Sequence, residues 1–241
     1  MKTIHVPNID LRYWAAIALA SVFGTNMGDL YAHESGLGTG LGLVVLAALT
    51  AMVFLAERLE GRRHELYYWL VIIIIRTGAT NIADFFAWRL RLPAVPLSLT
   101  LAAIIAVFAW LCARDPRSVP GLPQTNAAYW LAMLGAGVFG TAVGDYIKHA
   151  LGMGVSSLVL TLVLVIALQF TKNRTARFVW IYWITVTIAR TTGTAVGDWL
   201  AEAKYLNVGL PLSTLISGIA FAIVVLLWKG AAKSEPVYSK A

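Results

Sequence analysis

The sequence predicts an all-α integral membrane protein, a bundle of eight transmembrane helices arranged as four parallel two-helix repeats. Three observations carry this. Of 241 residues, 59% are hydrophobic and 13% charged, with a mean hydropathy of +0.74, a balance foreign to a water-soluble domain of this length. Apolar stretches approaching the ~20 residues that span a bilayer recur along the chain. Runs such as Leu70 to Ile75 and Leu158 to Leu168 lack the alternation of a membrane barrel strand. Finally, one residue pattern recurs four times at constant spacing.

Taken in order, the spans are 11–32, 38–56, 67–88, 95–112, 127–149, 153–170, 177–201 and 209–228, joined by short connections. The odd spans open on an aromatic pair: Tyr13-Trp14, Tyr68-Trp69, Tyr129-Trp130 and Tyr182-Trp183. Trp110 and Trp228 close the fourth and eighth, so these side chains read as anchors at the membrane interface. Gly36-x-Gly38 and Gly152-x-Gly154 precede the second and sixth spans, and Pro96 and Pro211 introduce the fourth and eighth. Ser156, Ser157, Ser213 and Ser217 fall at the starts of even spans or within them, where backbone bonding or helix packing is their expected role.

Orientation follows from charge. With Arg12 at the start of the first span counted in, the N-terminus, the connections 57–66, 113–126 and 171–177, and the C-terminal tail share one side and hold 13 of the 19 Lys and Arg residues. The opposite connections hold Arg89, Arg91, Lys148 and Lys204, while Arg76 and Arg190 fall inside spans. The positive-inside rule therefore expects both termini in the cytoplasm of a bacterial inner membrane. The net charge of +7 does not suggest nucleic acid, because the basic residues sit in short connections without stacking aromatics. The single cysteine, Cys112, reads as a small core residue. The first span lacks the cleavage site of a secretory signal and is expected to stay in the membrane. Residues 229–241 are polar and read as a cytoplasmic tail.

Sixteen residues after each opening tyrosine stands an aspartate: Asp29, Asp84, Asp145 and Asp198. Four residues before each aspartate is a threonine: Thr25, Thr80, Thr141 and Thr194. Small residues flank it as Gly24/Gly28, Ala79/Ala83, Gly140/Gly144 and Gly193/Gly197, a spacing suited to close helix packing. The units alternate. Units two and four carry Arg76-Thr77 and Arg190-Thr191, where units one and three have Ser21 and Gly137. Units one and three carry His33 and His149 four residues after the aspartate. This A-B-A-B order reads as a half, 1–120, duplicated as 121–228 ahead of the tail, with all motif helices parallel.

These motifs resemble a family of bacterial integral-membrane proteins of unknown function, built from internal repeats with a Thr-x-x-Gly-Asp motif. Thr25-Gly28-Asp29, Thr141-Gly144-Asp145 and Thr194-Gly197-Asp198 carry the resemblance, which covers nearly the whole chain. Unit two departs from it with Ala83 in the glycine position ahead of Asp84. The family lends no chemistry.

From the residues alone, the polar stripes must turn away from lipid. At a rise of 1.5 Å per residue, each aspartate lies roughly 24 Å, and each arginine about 12 Å, beyond its tyrosine. Four aspartates near helix C-termini, where the dipole disfavours an anion, call for a cation: Arg76, Arg190, Lys148 or an ion from outside. Asp29/His33 and Asp145/His149, each at i, i+4, could together ligate a divalent metal as substrate. The expected function is therefore a small membrane transporter or channel for a cation, a divalent metal or one coupled to protons. Its path would be lined by Asp, Thr and His, with the arginines as inner barrier. Two alternatives stand beside it: transport of a carboxylate or other anion by Arg76 and Arg190, and a non-transport structural protein with buried ion pairs. No nucleotide-binding loop or nucleophile elbow points to an enzyme. The expected partners are the bilayer and a small ion or molecule.

Overall fold

The computed structural model describes residues 7–60, 64–114, 125–171 and 179–228, and among them every regular element is helical. They are α1 (Leu11–Glu34), α2 (Gly38–Glu60), α3 (Glu65–Asp84), α4 (Ala94–Ala113), α5 (Ala127–Leu151), α6 (Met153–Thr171), α7 (Val179–Glu202) and α8 (Leu210–Leu226). Each predicted span coincides with one helix. The predicted tail, 229–241, lies outside the described residues. Five elements, α2, α3 with its extension to Arg89, α4, α5 and α6, are long and apolar enough to cross a membrane. Helix α8 is apolar but shorter. Helices α1 and α7, at 24 residues each, fall outside that set. Their inward stripes of Ser, Thr and Asp, and the arginine of α7, lower their hydropathy.

Local signals account for the helix ends. Asp10 and Asn126 cap α1 and α5 by accepting the backbone N–H of Tyr13 and Tyr129, each at 2.9 Å. Gly152 ends α5 at φ +83°, a positive-φ backbone that glycine adopts without steric cost. Helix α3 does not stop at Asp84 but loosens into a π-helical turn, Phe85–Arg89.

The odd helices form the inner ring, with α1 against α3, α3 against α5, α5 against α7 and α7 against α1. Each even helix packs chiefly on the inner helix of the next unit: α2 on α3, α4 on α5, α6 on α7 and α8 on α1. Helix α4 thus covers an inner helix of the second predicted half, and α8 one of the first. Outward faces of the even helices are apolar, as at Leu99, Leu158, Leu162 and Leu215, and are suited to lipid.

The small residues set the inner spacing, and each pair points to the following inner helix. A methyl group added at Gly24 would collide with the Arg76 side chain, and one at Gly28 would come within 2.7 Å of Thr80 Cβ. At Gly140 and Gly144 it would meet the Arg190 backbone at 2.7 Å and Thr194 Cβ at 2.9 Å. At Gly193 and Gly197 it would strike Ser21, and Asn26 Oδ1 at 2.8 Å. At all six positions the glycine lies in close contact with the following inner helix. Unit two, with Ala79 and Ala83, is the exception, and its seam with α5 is relieved from the other side. Gly137 faces Ala79 there, and an added Cβ would sit 2.6 Å from the alanine methyl.

The aromatic pairs, with Trp130 half-buried as the exception, are buried and do not sit as interface anchors. Tyr13, Tyr68, Tyr129 and Tyr182 are 1% exposed or less, and Trp14, Trp69 and Trp183 are also buried. They form the core at one end of the bundle, packed edge-on or tilted with Cys112 and Phe221 in the same cluster. An aromatic at the start of a helix fits an interface belt and a buried plug equally well. Its azimuth decides, and here that azimuth is the one shared with the aspartates. The serines behave as expected: Ser157 bonds the Met153 and Ala195 carbonyls at 2.8 and 2.6 Å, and Ser217 bonds the Ser213 carbonyl at 2.7 Å.

Candidate functional site

Every fourth residue of each inner helix, counted from its tyrosine, belongs to one layer across the bundle. The first layer is the four tyrosines, whose hydroxyls close a hydrogen-bonded circle. Tyr13 pairs with Tyr68 at 2.9 Å, Tyr68 with Tyr129 at 2.6 Å, Tyr129 with Tyr182 at 2.8 Å and Tyr182 with Tyr13 at 2.6 Å. Above it lie Ile17, Ile72, Met133 and Val186, each 0% exposed. The third layer holds Ser21, Arg76, Gly137 and Arg190, and the fourth the threonines.

Both arginines are wholly buried and leave their layer in opposite directions. The Arg76 guanidinium rises into the threonine layer and is bound by all four hydroxyls. Nη1 donates to Thr80 at 2.8 Å and Thr141 at 3.0 Å, while Nη2 donates to Thr194 at 2.7 Å and to Thr25. Thr25, Thr80 and Thr194 hand their own hydrogens back to the carbonyl one turn earlier. Their oxygens are thereby left as acceptors for the cation. Arg190 descends instead, reaching Ser21 Oγ at 3.3 Å and Met133 Sδ at 3.8 Å. Neither Nε has a partner, and among the described residues neither arginine lies in an ion pair. Of the candidate cations for the aspartates, the two arginines are thus not paired with them among the described residues: Arg76 stops one layer short of the carboxylates, and Arg190 points away from them.

Beyond the threonines the bundle opens into a cavity of about 510 Å³, lined by all four threonines and all four aspartates. The sixth layer forms its mouth: His33, Trp88, His149 and Glu202. Sequence reasoning found the two histidines but missed Trp88 and Glu202, their equivalents twenty residues after the tyrosine; extending the same register would have found them. The cavity has its own cation. Lys148 Nζ lies 2.6 Å from Asp198, 3.5 Å from Asp145 and 3.7 Å from Glu202, whereas among the described residues Asp29 and Asp84 have no ion pair.

The two histidines sit on the rim, each with Nδ1 against the carbonyl one turn back, of Asp29 and of Asp145, both at 2.7 Å. Among the described residues, no group of three or more His, Cys, Asp or Glu side chains is arranged to hold a metal ion.

Two segments of the chain match a known repeat. Residues 12–62 and 181–234 match the model of the Repeat of Unknown Function (DUF347). These segments are the first and fourth helix pairs, α1–α2 and α7–α8, so the chain is similar to an uncharacterised repeat family at both of its ends. Among curated proteins and among solved structures, no match is found.

Proposed function

We propose that this protein is a membrane transporter or channel for a cation, and that the aspartate-lined cavity is its binding vestibule. One observation supports this above the rest: four carboxylates from four helices line a single cavity whose floor is a ring of threonine hydroxyls. In such a place carboxylates attract a cation and are expensive to retain without one. Under this reading all eight helices cross the membrane and the units stand in A-B-A-B pseudo-symmetry about the central axis. The positive-inside distribution then puts the vestibule on the extracytoplasmic side and both termini inside.

Arg76 is the inner barrier. Its guanidinium occupies the hydroxyl ring that a travelling cation would next enter, so passage requires it to leave. A cation held by the aspartates repels it and favours that departure, which couples occupancy to opening.

Reconstituted protein tests the reading. With Asp29→Asn and Asp145→Asn combined, the thermal stabilisation given by the transported cation is expected to vanish, along with its flux into liposomes. Equal stabilisation of wild type and double variant by every cation tried, divalent metals included, would count against it. Arg190 favours the second reading, transport of an anion, because among the described residues its guanidinium bonds only a hydroxyl and a thioether. Anion flux that survives Arg76→Gln and Arg190→Gln would dismiss that reading.

A further inference from the structure

A second cavity, of about 240 Å³, adjoins the vestibule and shares Trp88, Asp145 and His149 with it. The rest of its wall is almost wholly apolar, drawn from α3 (Ala83), α4 (Leu97), α5 (Ala142, Tyr146) and the turn between α3 and α4 (Ala87, Leu92). It is thus a side groove between α3 and α5, beneath α4. This is the seam where unit two departs from glycine. At the equivalent place in the other three seams, Gly28, Gly144 and Gly197 bring the backbones together, whereas here Ala83 faces the groove. The π-helical turn at Phe85–Arg89 adds to the gap by swinging Trp88, 71% exposed, to the junction of the two cavities.

Resting on the cation reading above, we infer that the groove is a lateral portal to the bilayer and that the ligand is an amphiphilic ammonium ion, with its charged head in the vestibule and its chain in the groove. Three features select this occupant. Among the described residues that line the groove, the acid–base groups are Asp145, His149 and the Tyr146 phenol, and neither lysine nor arginine lines it. The indole of Trp88, which lines both cavities, supplies an aromatic group of the kind that attracts a cation. The vestibule already holds an alkylammonium in the form of Lys148, bound by Asp198 at 2.6 Å with Asp145 and Glu202 nearby. A bare metal ion would use neither the apolar wall nor the indole.

The test uses the full chain in phosphatidylcholine nanodiscs, with empty nanodiscs to subtract partitioning, and titrates decylammonium, ethylammonium, decanol and divalent metal ions. Decylammonium is expected to bind tighter than ethylammonium by about tenfold or more, from the extra buried methylenes, and decanol weakly. Ala142→Phe, which fills the groove, is expected to erase that chain-length advantage and leave ethylammonium binding unchanged. A diazirine-bearing decylamine on wild-type protein gives a readout that does not depend on a folded variant, and is expected to label residues 83–97 and 142–146. Equal binding of the two amines, decanol matching decylammonium, or labelling confined to the outward faces of α2, α6 and α8 would each overturn the portal. If metal ions or ethylammonium still bind in those cases, the cation vestibule survives; if no cation binds, both readings fall.

Discussion

At the residue scale, the most consequential group is Arg76. A buried charge is costly, and hydrogen bonds to a charged group each contribute about 1.5–3 kcal/mol, so four threonine hydroxyls offset much of that cost. This yields an asymmetric prediction. Thr80→Val leaves the guanidinium one acceptor short and should destabilise the protein by roughly 1–3 kcal/mol. Arg76→Met removes the charge at similar volume and should cost little or even stabilise. Denaturation of both variants in the same detergent checks the order, and a larger loss for the methionine variant would mean that the charge itself is needed for folding. The threonines, aspartates and arginines were legible in the sequence because their register repeats. The direction in which each arginine extends was not, since it depends on which neighbour leaves room. Gly137 leaves space beside Arg76, and the Arg190 side chain turns toward Met133.

At the scale of the element, the four-residue period carries a geometric demand. Successive fourth residues drift by about 40° around a straight helix, so a stripe six layers long stays on the bundle axis only if the helices cross obliquely. The four-residue rows are inclined by roughly 26° to a helix axis, and small-xxx-small pairs permit such crossings. Gly144→Ala should therefore push α5 from α7 at Thr194, with an over-packing cost of about 1–3 kcal/mol. The same methyl is already present at Ala83, where the seam gapes, so Ala83→Ser should be nearly silent. Thermal unfolding of the pair checks the contrast; equal losses would show that the seams are alike. Helix positions followed from hydropathy and the repeat. Which outer helix covers which inner one did not, because a uniformly apolar helix fits any of the seams.

For the whole molecule, the transport reading predicts an orientation that labelling can check. Cys112 is the only cysteine, so Cys112→Ala provides a background for single labels. A cysteine at His33 should react with an impermeant maleimide in intact cells, and one at Leu11 only after lysis. The reverse pattern would invert the vestibule and the direction of any transport. Charge in the connections made this expectation readable from sequence, whereas the vestibule itself was visible only as four recurring aspartates whose convergence required a fold.

The tyrosine circle has an implication for leakage. Protons hop through water or hydroxyls when donors and acceptors line up along the direction of travel. Here each hydroxyl commits its single hydrogen sideways to a neighbour, and a collar of aliphatic side chains separates the circle from Arg190. Such a loop passes charge around itself and not along the bundle axis, so under the transport reading it would keep the acidic basin from leaking protons toward the other end.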